Sequence, residues 1–208
     1  MNASRLTKVD LRAQLKWLYQ PSAKKPVEVD VPAMRFLMID GEGDPNAAPF
    51  AEAVGALYTA AYAVKFMVRN GPLALDYPVM PLEGLWWIAG GAPFAWADRR
   101  DNWRWTAMIM QPDAVTEELV GRARAEVGRK KHPPGLDRLR FACFHEGPAA
   151  QIMHRGPFAD EPATLATLHS FIIERGHRLA GKHHEIYLND PTRTAPERLR
   201  TVLRQPFA

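Results

Sequence analysis

Glu185 and Tyr187 stand two residues apart in "GKHHEIYLNDP" (181–191), a stretch whose centre has the composition of a strand. On a strand, residues two apart project from one face. A carboxylate beside a phenol in an apolar cleft can serve as a general base held by a hydrogen-bond donor. Burial pushes the carboxylate pKa up, and the phenol's hydrogen bond to the ionised form pulls it down. A solvated strand face, or a glutamate neutralised by an arginine, is the competing reading of the same pair.

Glu83 offers a second strand carboxylate, in "VMPLEGLWWIA" (79–89). Gly84 after it removes side-chain bulk and lets a group approach the backbone. Trp86 and Trp87 must point to opposite faces, whereas Trp103 and Trp105 in "WRWTAMIMQ" (103–111) share one. One tryptophan set is expected to be core and the other to wall a cleft for a flat or cationic ligand. His183 shares a strand face with Glu185 and joins the ligand-binding candidates. His145, His154 and His184 raise a metal question, but no HExxH or zinc-type Cys/His spacing is present, so neither metal nor cofactor is expected. The three serines lie outside any GxSxG elbow. Cys143 in "FACFHEG" reads as a small buried hydrophobe rather than a nucleophile.

These residues need strands and helices to place them. The spacing predicts a helix over 8–19, a proline-rich connector at 20–32, and a strand at 33–40 closed by "GEGDPN". An alanine-rich buried helix follows at 49–69, then strands at 79–89 and 103–111. A charged helix at 115–132 joins two halves, about 30–112 and 136–192. The second half holds two strands around Glu146-Gly147-Pro148, a helix stopped near Gly176, and the strand of Glu185. "TAPERLRTVL" (194–203) has capping-box spacing at Thr194 and Glu197, so a C-terminal helix is expected to match the N-terminal one. Each half reads strand, Gly/Pro turn, helix, strand with one glutamate, and Glu83 and Glu185 fall at corresponding points. Two similar halves packed together make a seam, a natural place for a ligand.

With 208 residues, one domain over 1–208 is expected. No apolar run approaches a membrane span and no signal peptide is evident, which with a single cysteine points to the cytoplasm. The net charge of +4 invites nucleic acid as a partner. The basic residues sit instead on solvated helix faces, without a groove-reading motif.

In order, "LKWLYQPSAKKPVEVDVPAMRFLMIDGEGDPN", "VMPLEGLWW", "WTAMIMQPD", "QIMHRGPFADEPATLATLHSFI" and "HHEIYLNDP" resemble the GyrI-like small-molecule-binding family, from Leu11 to Arg204. The resemblance implies an α+β fold: a pseudo-twofold pair of βαββ-type modules with an antiparallel sheet and a ligand cleft at the seam. It is strongest to stand-alone members, a branch similar to hydrolases that open strained cyclopropane rings of DNA-alkylating compounds. It implies Glu185 and Tyr187 as the cleft acid and phenol, and Glu83, Trp86 and Trp87 as its wall. A lipophilic or aromatic small molecule is then the expected partner. A binder that sequesters drugs without turnover, or a gyrase-inhibitor-like interaction protein, is the alternative. Oligomeric state is not legible.

Overall fold

The computed structural model describes residues 6–90 and 100–208. Ten strands and five α-helices are assigned among them. Strand β1 (Thr7–Lys8) precedes the short helices α1 (Leu11–Gln14) and α2 (Lys16–Tyr19), which replace the single helix expected there. Strands β2 (Val27–Val31) and β3 (Met34–Glu42) lead to helix α3 (Ala48–Asn70), and β4 (Leu75–Asp76) pairs in parallel with β1. Strands β5 (Leu82–Ile88) and β6 (Trp103–Gln111) complete the first half. Helix α4 (Glu117–Lys130) connects to β7 (Arg140–Phe144), β8 (Gly147–Arg155), helix α5 (Glu161–Glu174), β9 (His183–Tyr187) and β10 (Arg200–Pro206).

Eight strands form one antiparallel sheet in the order β2-β8-β10-β9-β5-β6-β3-β7. Read inward from either end, the order is matched: β2 with β7, β8 with β3, β10 with β6, and β9 with β5. Each half is therefore a βαββ unit, β3-α3-β5-β6 or β8-α5-β9-β10. Each also lends its preceding strand to the other half, since β2 pairs with β8 and β7 with β3. The seam is the β5–β9 pair, where Gly84 stands opposite Glu185 and Glu83 opposite Ile186.

The sequence reading misplaced the C-terminus. Residues 200–206 are β10, not a helix; only a turn of 3₁₀ helix at Pro196–Arg198 remains of the expected capping box. Strand β10 supplies the third strand of the second unit, which therefore runs past residue 192. The 20–32 connector contains β2, whose exposed Glu28 and Asp30 suit an edge strand. Cys143 is exposed on β7, not buried.

Helix α3 buries Ala53, Ala56, Leu57, Ala60, Ala61, Val64 and Val68. That i, i+3, i+4 stripe of mostly small residues lets its backbone lie close to β3 and β6. Helix α5 buries Leu165, Leu168 and Ile172 against Ala150, Ile152 and Leu203 of β8 and β10. In an antiparallel pair, directly opposed residues share a face. Leu203 stands opposite Glu185, and Phe50 of α3 packs on Trp86 and Trp105, so both helices cover one face of the sheet. Tyr19 of α2 reaches Glu83 on the other face. Helix α4, capped by Thr116 on the Leu119 N–H, packs on α3.

Candidate functional site

The site lies on the helix-covered face of the seam, between α3 and α5. Strand β9 projects His183, Glu185 and Tyr187 to this face, and β5 projects Trp86. The Tyr187 hydroxyl donates to Glu185 Oε2 at 2.5 Å, and the Trp86 indole N–H donates to the Tyr187 oxygen at 3.1 Å. Gly84 makes this chain of bonds possible. A β-carbon there would come within 2.7 Å of the Trp86 indole nitrogen and 3.2 Å of the phenol oxygen. Gly41 does the same for Trp105, whose ring a β-carbon would meet at 2.2 Å. Two absent side chains thus let three aromatic side chains lie across the sheet.

The walls are aromatic. Trp86 and Trp103 meet edge to face with centroids 5.9 Å apart, Phe50 contacts Trp86 and Trp105, and Phe158 sits edge-on to Tyr187. Trp86, Trp103 and Trp105 are buried. Trp87 points to the opposite face, where it is partly exposed, as the strand alternation required.

Charge is the unusual feature. Glu185 is 2 % exposed and Glu161, at the start of α5, 0 %. His183 Nε2 lies 3.2 Å from Glu185 Oε1, an oxygen that accepts no aligned hydrogen bond among the described residues. Burial, reinforced by the Glu185 charge, pushes the Glu161 carboxyl up to about 9, with the Thr201 hydroxyl beside it. At neutral pH Glu161 therefore holds its proton. Burial, and then Glu185, likewise raise the Tyr187 phenol well above its usual range, so it remains a donor. One aromatic enclosure thus holds the Glu185 carboxyl group, the neutral Glu161 carboxylic acid and a donating phenol.

Sequence reasoning missed Glu161. A carboxylate in the first turn of a helix ordinarily signals a favourable dipole interaction on the surface. Only the docking of α5 beside β9 and β10 buries it.

Glu83 lies on the same seam but faces the other way. Tyr19 donates to its Oε1 at 2.7 Å, and its Oε2 is 3.0 Å from His184 Nε2. His184 Nδ1 is 3.0 Å from both oxygens of Glu146, and Arg204 donates to Glu146 at 3.1 Å. Arg204 also donates to Gln151 and to the Leu18 carbonyl. The four ionisable groups alternate in sign. A twofold axis normal to the sheet keeps every residue on its face, so it cannot exchange Glu83 with Glu185. The correspondence drawn between them from the sequence is off by one position.

With this geometry in view, the comparisons are direct. The family model described as the GyrI-like small molecule binding domain matches residues 24–207. A conserved, uncharacterized protein from Listeria innocua is 41% identical, with a TM-score of 0.88 over 96% of this chain and all of that one. A hydrolase from Listeria innocua is 38% identical, with a TM-score of 0.84 over 96% of this chain and all of that one. The C-terminal domain of EcmrR, 8% identical, shares the fold at a TM-score of 0.56 over 88% of this chain and 97% of that one. No curated protein sequence matches the chain.

Proposed function

The chain belongs to the GyrI-like small-molecule-binding family, and from that premise we propose that it is a hydrolase of lipophilic aromatic compounds carrying a strained ring. The observation that carries the proposal is the Tyr187–Glu185 hydrogen bond inside an aromatic enclosure where, among the described residues, no arginine or lysine pairs with Glu185. The description of a 38%-identical relative as a hydrolase supports it. The single cysteine, a free exposed thiol, fits a reducing cytoplasm.

The substrate we assign is a cyclopropane conjugated to a carbonyl, as in DNA-alkylating cyclopropanoids. Phe50 and Phe158 part to admit its flat body against Trp86 and Tyr187. Glu185 Oε1 takes a proton from a water molecule, whose oxygen bonds to the ring methylene. The ring C–C bond breaks, its electron pair moves through the conjugated system to the carbonyl oxygen, that oxygen takes a proton from solvent, and Glu185 returns its proton to solvent. One water has been added and the electrophile is gone. Tyr187 fixes the orientation of Glu185. Neutral Glu161 spares the site a second negative charge, so proton abstraction falls to Glu185. Ring strain already lowers the barrier, so base catalysis of about 10²–10⁴-fold is enough to matter.

Purified protein incubated with a cyclopropane-bearing DNA alkylator tests the proposal by mass spectrometry. The expected product is the ring-opened alcohol, formed with many turnovers per protein. Tight binding with no product would replace hydrolysis by sequestration, with Glu185 as a counter-charge for cations.

A further inference from the structure

The face of the sheet away from Glu185 carries a groove of about 550 Å³ at the other end of the seam. It is lined by Asp40 and Glu42 of β3, Trp87 of β5, Arg104 of β6, Arg140 of β7, and Lys182 just before β9. The register puts them on one face: Trp87 opposes Arg104, Arg104 opposes Glu42, and Arg140 opposes Met38, two residues from Asp40. None belongs to the Glu185 enclosure, which lies through the sheet.

The charges in the groove do not cancel. Arg140 donates to both oxygens of Asp40, at 2.9 and 3.0 Å, and Arg104 lies 3.1 Å from Glu42. Each acid thus has its own guanidinium. The third cation, Lys182, has no carboxylate within ion-pair distance among the described residues. Its ammonium rests 3.4 Å above the Trp87 ring centroid instead. A cation on an indole face gains less than a well-placed anion would offer in a partly desolvated site. Partial burial disfavours its charged form and lowers its pKa, a cost that an incoming anion would offset.

We propose that this groove is a second binding site, separate from the Glu185 site, for a small aromatic carboxylate. Lys182 supplies the counter-charge, the Arg104 and Arg140 guanidinium edges flank the carboxylate, and the Trp87 ring takes the ligand's flat body. The two acid–arginine pairs set the selectivity: they leave the rim, among the described residues, with one positive charge in excess, that of Lys182, so an organic cation is rejected.

Benzoate is the probe, with benzylammonium as its charge-reversed control. In a titration followed by the indole N–H resonances, benzoate is expected to shift the Trp87 signal saturably and leave Trp86 unmoved. Benzylammonium should give no saturable shift. Lys182→Met should weaken benzoate at least about tenfold, the loss of one ion pair in a partly desolvated site. Lys182→Gln is the second variant, should the first fold poorly. Glu185→Gln should leave benzoate binding unchanged, so the result stands or falls independently of the hydrolase reading. Absence of saturation, equal binding of benzylammonium, or undiminished binding by the folded Lys182 variants would each overturn the proposal.

Discussion

The two faces of the β5–β9 seam bury similar groups and treat them in opposite ways. On one, Glu83, His184, Glu146 and Arg204 form an alternating row in which every charge has a partner within 3.1 Å. On the other, Glu185 and Glu161 share a hydrophobic enclosure with a phenol and an imidazole, and among the described residues no arginine or lysine pairs with either. Compensation costs little and ties elements together: through Arg204 and Tyr19 the first face clamps α2 to both halves. Burial beside Glu185 leaves Glu161 with a raised proton affinity, the kind of perturbation that acid–base sites use. Under the proposed function, the difference gives a structural task to one face and a chemical task to the other.

That contrast can be broken most forcefully at Arg204. Arg204→Met leaves Glu146 with His184 alone and strands the Gln151 oxygen and the Leu18 carbonyl. Removing one partner of a buried ion pair typically costs about 3–5 kcal/mol, and chemical denaturation should register a loss of that size. A loss near zero would mean that the row is not a clasp.

pH separates the faces next. Glu146 is held down to about 2, despite its burial, by His184 and Arg204. Its contribution is present above its usual range near 4.5 and lost as pH falls through 2. His184 is lifted to about 8, against its own burial, by Glu146 and Glu83. Its contribution is full below about 6.5 and lost as pH rises through 8. Glu161, lifted to about 9, adds a decline of the same sign between about 4.5 and 9. Denaturation midpoints should therefore be highest near pH 4.5, where the Glu146 rise ends and the Glu161 decline begins, and fall by pH 9. In Glu161→Gln the alkaline fall should become shallower, with the His184 part surviving. An unchanged slope would remove Glu161 from the titration.

The smallest expected effect is that of Tyr19→Phe, which deletes one buried hydrogen bond to Glu83. About 0.5–1.5 kcal/mol should be lost, the ordinary worth of such a bond, with more if Glu83 is left unsatisfied. Turnover by the folded protein should stay at the wild-type rate.

Much of this was legible in the sequence because period and composition agreed. Residues 49–69 could only be a helix, and "WRWTAMIMQ" is β6 residue for residue. Glu185 and Tyr187 were legible as a same-face pair because strand alternation is strict. Strand β10 was not. Leu199, Val202 and Leu203 mimic a helical stripe, and the strand lies between β8 and β9 with both faces covered, which erases the alternation. The face of Glu83 was lost for a related reason. An alignment of the halves that is off by one residue turns a side chain through the sheet, and no local signal fixes the register. Glu161 was invisible because its burial depends on where α5 lands.

The central claim, chemistry on one face and clasp on the other, is met most directly by one paired measurement. Glu185→Gln and Glu83→Gln are each assayed for ring opening of a cyclopropanoid and for thermal stability. The account predicts that Glu185→Gln lowers turnover by about 10²-fold or more with its melting temperature kept. Glu83→Gln should melt lower yet turn over normally per folded molecule. Full turnover by Glu185→Gln, or loss of turnover by a stably folded Glu83→Gln, would contradict it.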